Sequence, residues 1–270
     1  MTRLCHWLLC FVLALCAACF AGCSREPDNV FQGYIEGEYV YIASPLSGAL
    51  TNLAVARGGE VKTSQLLFSL ERGSEAAALT TAEKNLAQAK ANLALSETTL
   101  KRRQQLRENH EVISQEELDQ ANAQRDANAA QTASLAAALA KAKWSFDQKE
   151  QFAPTNAFVQ DTLYRQGEFV AAGSPVVVLL PPANIKTRFF VPQAILPRIK
   201  AGDTVTVTFD GSPRAYSATI SFISTQNEFT PPVIYSRENR AKLVFMIEAT
   251  FSPEDAAELR PGQPVDVKIH

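Results

Sequence analysis

The side chains able to do covalent or metal chemistry are few, and they crowd at one end. Cys5, Cys10, Cys16, Cys19 and Cys23 are the only cysteines of the 270-residue chain. A thiol can act as nucleophile, metal ligand, disulfide partner or acylation site, so chemistry of that kind is confined to the first tenth of the sequence. After His6 the only histidines are His110, in a polar stretch, and His270, the last residue. Buried triads and metal sites need converging imidazole, thiolate or carboxylate groups, and these residues do not supply them. Gly58-Gly59 lies between strand-like stretches with no helix after it, so it is no phosphate loop. Met246 is the only methionine after Met1, too little for a soft-metal relay. Neither an enzyme nor a resident metal or cofactor is expected. A formal charge of −2 without a basic stripe also excludes nucleic acid as partner.

The thiols therefore turn attention to the leader. Residues 1–22 carry an early cation, Arg3, an apolar run from Leu8 to Phe20 and small residues ahead of Cys23, which reads as a signal peptide too short to span a bilayer. The stretch "FAGC" (20–23) resembles a bacterial lipobox, although Phe20 stands where Leu is preferred. That resemblance implies acylation of Cys23 and a lipid-tethered protein facing the periplasm. An ordinary cleaved signal, or a short anchor in which Cys23 is idle, is the alternative. Ser24 departs from the Cys-Asp pattern of lipoproteins retained at the inner membrane, which leaves the outer membrane open as the anchoring site.

The body of the chain is built on a repeat. Residues 153–180 overlay 44–71 without a gap at an offset of 109 (154 − 45), with Pro154 on Pro45, Ala157 on Gly48, Gly167 on Gly58, Val170 on Val61 and Leu179 on Leu70. Two copies of a short β motif, separated by an insertion, follow from this. Alternating residues at 30–44 predict a leading strand or two before the first copy.

Between the copies, residues 74–150 contain no Gly or Pro and are rich in Ala, Gln, Glu, Lys and Leu, a helix-forming composition. Leu79, Leu86, Leu93 and Leu100 recur every seven residues, and Leu118, Arg125, Thr132, Leu139 and Phe146 keep the same period. Facing residues of an antiparallel pair have numbers of constant sum, and 79/146, 86/139, 93/132 and 100/125 all sum to 225. The spacing predicts a helical hairpin turning near Val112 and Ile113, with Ser114 and Glu117 as a capping box. Its arms would reach roughly 50–55 Å at about 1.5 Å per residue. The seam is thin, with Ala82, Ala89, Ala121 and Ala142 among the Leu rungs, and Arg125 lays its stem along Leu100. A dimerising coiled coil is the alternative use of the same heptads.

From Asn184 onward five alternating segments bounded by Gly, Pro, Asp or Ser predict a small antiparallel barrel or sandwich, with a short helix at 192–199 and a loop at 226–240.

This order of parts resembles the periplasmic adaptor proteins, also called membrane fusion proteins, of the haemolysin-secretion-D-like family. The implied fold is α+β: a split lipoyl-like β-sandwich (43–72 with 151–182), interrupted by a long antiparallel α-helical hairpin (73–150) and followed by a small antiparallel β-barrel (183–270), with residues 23–42 as lipidated terminus, linker and leading strand. Unlike lipoyl carriers, the chain leads from "LERGSE" into the hairpin and leaves no Lys to modify at that turn. The stretch 208–249 resembles adaptors of ABC-type exporters, in which Glu228, Phe229, Thr230 and Pro231 form a partner-contact loop. At the hairpin tip Arg103, Ser114 and Asp119 match the spacing of adaptors that dock on TolC-like channels. The Leu of that pattern is absent, since its place is Arg107 and the nearest Leu is Leu106.

The resemblance implies a non-enzymatic adaptor of a tripartite export system. Its partners would be an inner-membrane ABC-type transporter, a TolC-like outer-membrane channel and further copies of itself in a ring, a hexamer by the family pattern. The alternatives are an adaptor of a proton-driven (RND-type) pump and a structural coiled-coil lipoprotein without a transporter.

Overall fold

The computed structural model describes residues 29–109, 113–212, 214–229 and 243–269. They form two compact units, one made of the described residues up to Glu36 together with those from Ile185 onward, the other of those within Gly37–Asn184.

The second unit holds the repeat. Strands β2 (Val40–Ala43), β3 (Gly48–Leu53), β4 (Glu60–Val61) and β5 (Leu66–Leu70) come from the first copy. Strands β6 (Glu150–Phe152), β7 (Ala157–Thr162), β8 (Phe169–Val170) and β9 (Pro175–Leu180) come from the second. They lie in two four-stranded sheets, ordered β2-β9-β7-β4 and β6-β5-β3-β8. Each copy lends its shortest strand to the other's sheet, β4 pairing with β7 and β8 with β3. The hydrogen bonds obey the same offset: Gly58 N donates to Val159 O and Gly167 N to Leu50 O, each at 2.8 Å. Ser64 N to Ala153 O and Gly173 N to Ser44 O form a second such pair, also at 2.8 Å. The repeat thus folds as one sandwich with internal pseudo-twofold symmetry. Leu50, Val61, Phe68, Val159, Val170 and Leu179 fill its core. The second copy begins at β6, the counterpart of β2, so the repeat is one strand longer at its start than the overlay from 44 onward.

Helices α1 (Gly73–Glu108) and α2 (Gln115–Asp147) form the insertion. At about 1.5 Å per residue they are roughly 50 Å long. Leu86, Ala89, Ser96 and Leu100 on α1 and Leu118 and Ala121 on α2 are buried, while Leu79, Leu93, Leu139 and Phe146 are half-buried. A buried Leu contributes about 1.5–3 kcal/mol and a buried Ala much less, so a few Leu rungs hold the rod together. Its cross-helix hydrogen bonds join Arg103 to Glu117, Asn92 to Asn128 and Arg107 to Gln115. Those numbers sum to 220 or 222, a little short of 225, because these polar pairs flank the seam.

The other unit is a closed six-stranded barrel, ordered β1-β10-β13-β12-β11-β14. Its strands are β1 (Val30–Gly37), β10 (Ile185–Pro192), β11 (Thr204–Thr208), β12 (Tyr216–Phe229), β13 (Leu243–Phe251) and β14 (Pro264–Ile269). The leading stretch therefore supplies two different bodies, β1 closing the barrel against β14 and β2 joining the sandwich. The burial of β10 alternates along its length, with Ile185, Thr187, Phe189 and Val191 inside. Position 196–198 is a single 3-10 turn. A short helix absent from the sequence reading, α3 (Pro253–Glu258), is capped by Ser252, whose side chain accepts from Asp255 N. The segment 226–240 is not a loop throughout: Gln226–Phe229 belong to β12, and Glu228 and Phe229 pair with Val244 and Leu243 of β13. A β-bulge between Ile223 and Asn227 allows the ladder to continue there.

Candidate functional site at the hairpin tip

The hairpin tip is organised by the start of α2. Ser114 is its N-cap: the hydroxyl accepts from Glu117 N at 3.2 Å, and the Glu117 carboxylate accepts from Ser114 N at 3.0 Å. This reciprocal capping box satisfies donors that a helix start otherwise leaves orphaned. Hydrogen bonds from the Ser114 backbone and hydroxyl, with the Arg103 charge nearby, hold the Glu117 carboxyl below the usual carboxylate range. Acidic Glu116 and Glu117 in this first turn also suit the positive end of the helix dipole, as Arg107 suits the negative end of α1.

Two arginines tie the helices across the turn. Arg103 Nη1 donates to the Glu117 carbonyl at 2.7 Å. Arg107 Nη1 donates to Gln115 Oε1 at 2.5 Å, and Gln115 Nε2 donates to Asp119 Oδ1 at 2.8 Å. Arg103, Ser114 and Asp119 thus belong to one polar region in which Gln115 connects Arg107 to Asp119. Leu106 is half-buried, whereas Arg107, Ser114 and Asp119 are exposed. Gln115 was missed by the sequence reading, although its Asp partner four residues on is a recognised helix pairing. Below the tip an open groove of about 460 Å³ runs along the hairpin, lined mostly by polar side chains including Asn92, Thr99, Gln124 and Asn128. It offers hydrogen bonds more than apolar burial.

The other candidates are scattered. Cys23, Thr230 and Pro231 lie outside the described residues, as do His110 and His270. Glu228 and Phe229 end β12, in the barrel unit. Among the described residues there is no group of three or more His, Cys, Asp or Glu that could hold a metal, and no helix is long and apolar enough to cross a membrane.

A split sandwich carrying a two-helix rod, together with a six-stranded barrel, defines the membrane fusion, or periplasmic adaptor, fold. Residues 78–149 match the family model "RND MFP, alpha-helical hairpin domain". The membrane fusion protein Spr0693 from Streptococcus pneumoniae R6 shares the fold at a TM-score of 0.64 and 18% identity, over 89% of this chain and 98% of that one. MacA from Actinobacillus actinomycetemcomitans gives 0.59 at 20% identity, over 89% and 78%. Among curated relatives, a UPF0194 membrane protein from Acidithiobacillus ferridurans is 28% identical over 49% of this chain and 39% of its own length. The Escherichia coli K12 protein YdhJ is 27% identical over 71% and 66%. The chain spans less than two thirds of the length of these curated relatives. The hairpin alone matches the family model, and the fold of the chain is that of the solved membrane fusion proteins.

Proposed function

We propose that the chain is the periplasmic adaptor of a tripartite export system, joining an inner-membrane ABC-type transporter to a TolC-like outer-membrane channel. The observation that carries this reading is the hairpin: a rod of roughly 50 Å whose turn is closed by a capping box and by the Arg103 bond to Glu117. A tip tied in this way presents Ser114, Gln115, Arg107 and Asp119 in fixed positions, which lowers the entropy lost when a channel binds them. The role is mechanical and non-enzymatic. The sandwich and barrel contact the transporter and neighbouring copies in a ring, the end of β12 and the 228–231 segment serve as transporter contact, and a lipid on Cys23 holds the protein to the membrane on its periplasmic side.

The choice of an ABC-type transporter rests on the resemblance of 208–249. The match of the hairpin to the RND family model favours a second reading, in which the same adaptor serves a proton-driven pump. Cross-linking the tagged full chain in its native membranes and identifying the co-purified proteins separates the two. An ABC transporter and a channel together are the expected result. An RND pump would move the reading to the second form, and recovery of neither would leave a structural lipoprotein.

A further inference from the structure

The two chain crossings between sandwich and hairpin are tied to each other. Lys149, immediately before β6, is only 4% exposed. Its Nζ donates to the Ser47 carbonyl at 2.7 Å and pairs with Glu75 Oε1 at 3.1 Å. Ser47 lies between β2 and β3, and Glu75 lies in the first turn of α1. On the other leg Arg72, just ahead of α1, pairs with Glu150 Oε1 at 2.8 Å. Its guanidinium also lies 4.7 Å from the ring centroid of Phe146 in the last turn of α2. A cation on each leg thus grips an anion on the other. Ser44 Oγ adds a bond of 2.9 Å to the Gln148 carbonyl.

The repeat shows that this arrangement belongs to the junction. With the offset of 109, Lys149 corresponds to Val40 and Gly48 to Ala157 (149 − 109 and 48 + 109). A Cβ on Gly48 would stand 3.2 Å from Lys149 Nζ, tighter than ordinary contact, so glycine at 48 leaves room for the ammonium where the second copy carries Ala157. Burial alone would raise the Glu75 pKa, but hydrogen bonds from Ser74 and Lys149 outweigh it and hold the carboxyl below its usual value. An ammonium taken out of water is tolerated only with such partners, and its worth is in fixing geometry more than in raw stability.

We propose that Lys149, cross-braced by Arg72, is a positioning residue that sets and stiffens the angle at which the hairpin leaves the sandwich. The tip then takes its position from the sandwich, as a bridging adaptor requires; in that sense the role rests on the proposed function, while the brace itself is a property of the isolated chain.

The test uses the full chain with nitroxides on ketone-bearing amino acids, which do not react with the native cysteines. One pair, at Lys62 and Glu97, reports the sandwich-to-hairpin distance, and a control pair at Glu97 and Ala130 reports the hairpin alone. Lys149→Met is expected to broaden the first distance distribution about twofold, as a hinge released at the root would, and to leave the second unchanged. Glu75→Gln, which keeps a hydrogen-bonding group in place, should broaden it less and supplies the test if Lys149→Met does not fold. Unchanged width in the variants that fold would overturn the proposal, as would equal broadening of both pairs. No channel enters the measurement, so a brace that loosens as expected in a protein that never contacts a channel would count against bridging alone.

Discussion

Gly58 and Gly167 stand 109 residues apart and hold the same left-handed backbone, at φ values of 84° and 92°. Nothing lies within 4 Å of where a Cβ would be at either position, so side-chain space is not what selects glycine. The backbone alone does. Ala at either position should therefore cost about 1–2 kcal/mol, and nearly the same at both. Urea denaturation of the two single variants measures this, and a cost at one site only would break the equivalence of the copies.

The same symmetry marks a position where the first copy is less well fitted. Ser64 has φ 64°, and its counterpart Gly173 has φ 78°. Ser64→Gly removes the strain of a side chain in that region at the expense of a more flexible unfolded chain. A net gain of about 0.5 kcal/mol is expected, with Gly173→Ser a loss of similar or larger size. Denaturation midpoints of the pair check the sign.

At the tip, Ser114→Ala removes the hydroxyl half of the capping box and should cost about 1 kcal/mol. Hydrogen exchange would show the loss locally, as faster exchange of the amides at 116–118, with the sandwich unaffected. Ser114→Thr keeps the cap and should keep the protection. If channel cross-linking falls in the Ala variant and survives in the Thr variant, Ser114 acts in docking by ordering the turn.

What the sequence made legible was whatever leaves a period or an offset. The repeat, the heptads and the Ser114–Glu117 spacing are patterns of several residues, and each has its counterpart in the fold. Single residues defined by a three-dimensional meeting left no such trace. Lys149 reads as one more helix-favouring Lys after a Lys-rich stretch, and its burial follows only from the meeting of both hairpin legs with the β2–β3 connection. The alternation of β1 predicts a strand but not a partner, so its closure of the barrel against β14 was invisible. The end of β12 misled for a different reason: charged residues and two prolines dominate 226–240, whereas a bulge lets the ladder run on to Phe229. Arg125 is partly exposed at 39%, with Nε 3.0 Å from Asp126, its sequence neighbour.

Acid should act on the barrel through Glu248. This carboxylate lies between Lys186 Nζ at 2.7 Å and Arg188 Nη2 at 2.8 Å, and Arg188 also reaches Glu36 at 2.8 Å and Tyr34 OH at 3.5 Å. Burial would raise the Glu248 pKa, but the hydrogen bonds and charges of Lys186 and Arg188 outweigh it and hold it below the ordinary 4.5. A folded-state pKa below the unfolded value stabilises the fold above the unfolded pKa, and that stability is lost as pH falls through the folded value. Glu248→Gln should therefore lower the Tm by about 2–4 °C at pH 7. The gap from the native chain should shrink toward pH 3, and a constant gap would show that packing, not charge, is what the substitution disturbs.

The last prediction separates reach from folding. Strands β5 and β6 pair directly, Ser69 facing Glu150 and Phe68 facing Gln151, and Leu70 N donates to Lys149 O at 2.8 Å. The hairpin therefore enters and leaves the sandwich at adjacent points of one antiparallel ladder, where a tight Asn-Gly turn could close the chain instead. None of the residues that form the sandwich core comes from α1 or α2. Replacing residues 73–147 by such a turn removes the Glu75 partner of Lys149 but no sheet strand, so the shortened chain should still unfold cooperatively in urea, with nearly all of its helical far-UV signal gone. If the proposed adaptor role holds, in cells it should still co-purify with the transporter and yet fail to support export, because nothing would reach the channel. Full export by the shortened chain would rule out bridging. A chain that no longer folds would show that the brace at Lys149 holds the sandwich together as well as aiming the hairpin, and Lys149→Met combined with the deletion tells these apart, since it relieves the unpaired ammonium and should restore folding if that charge alone is at fault.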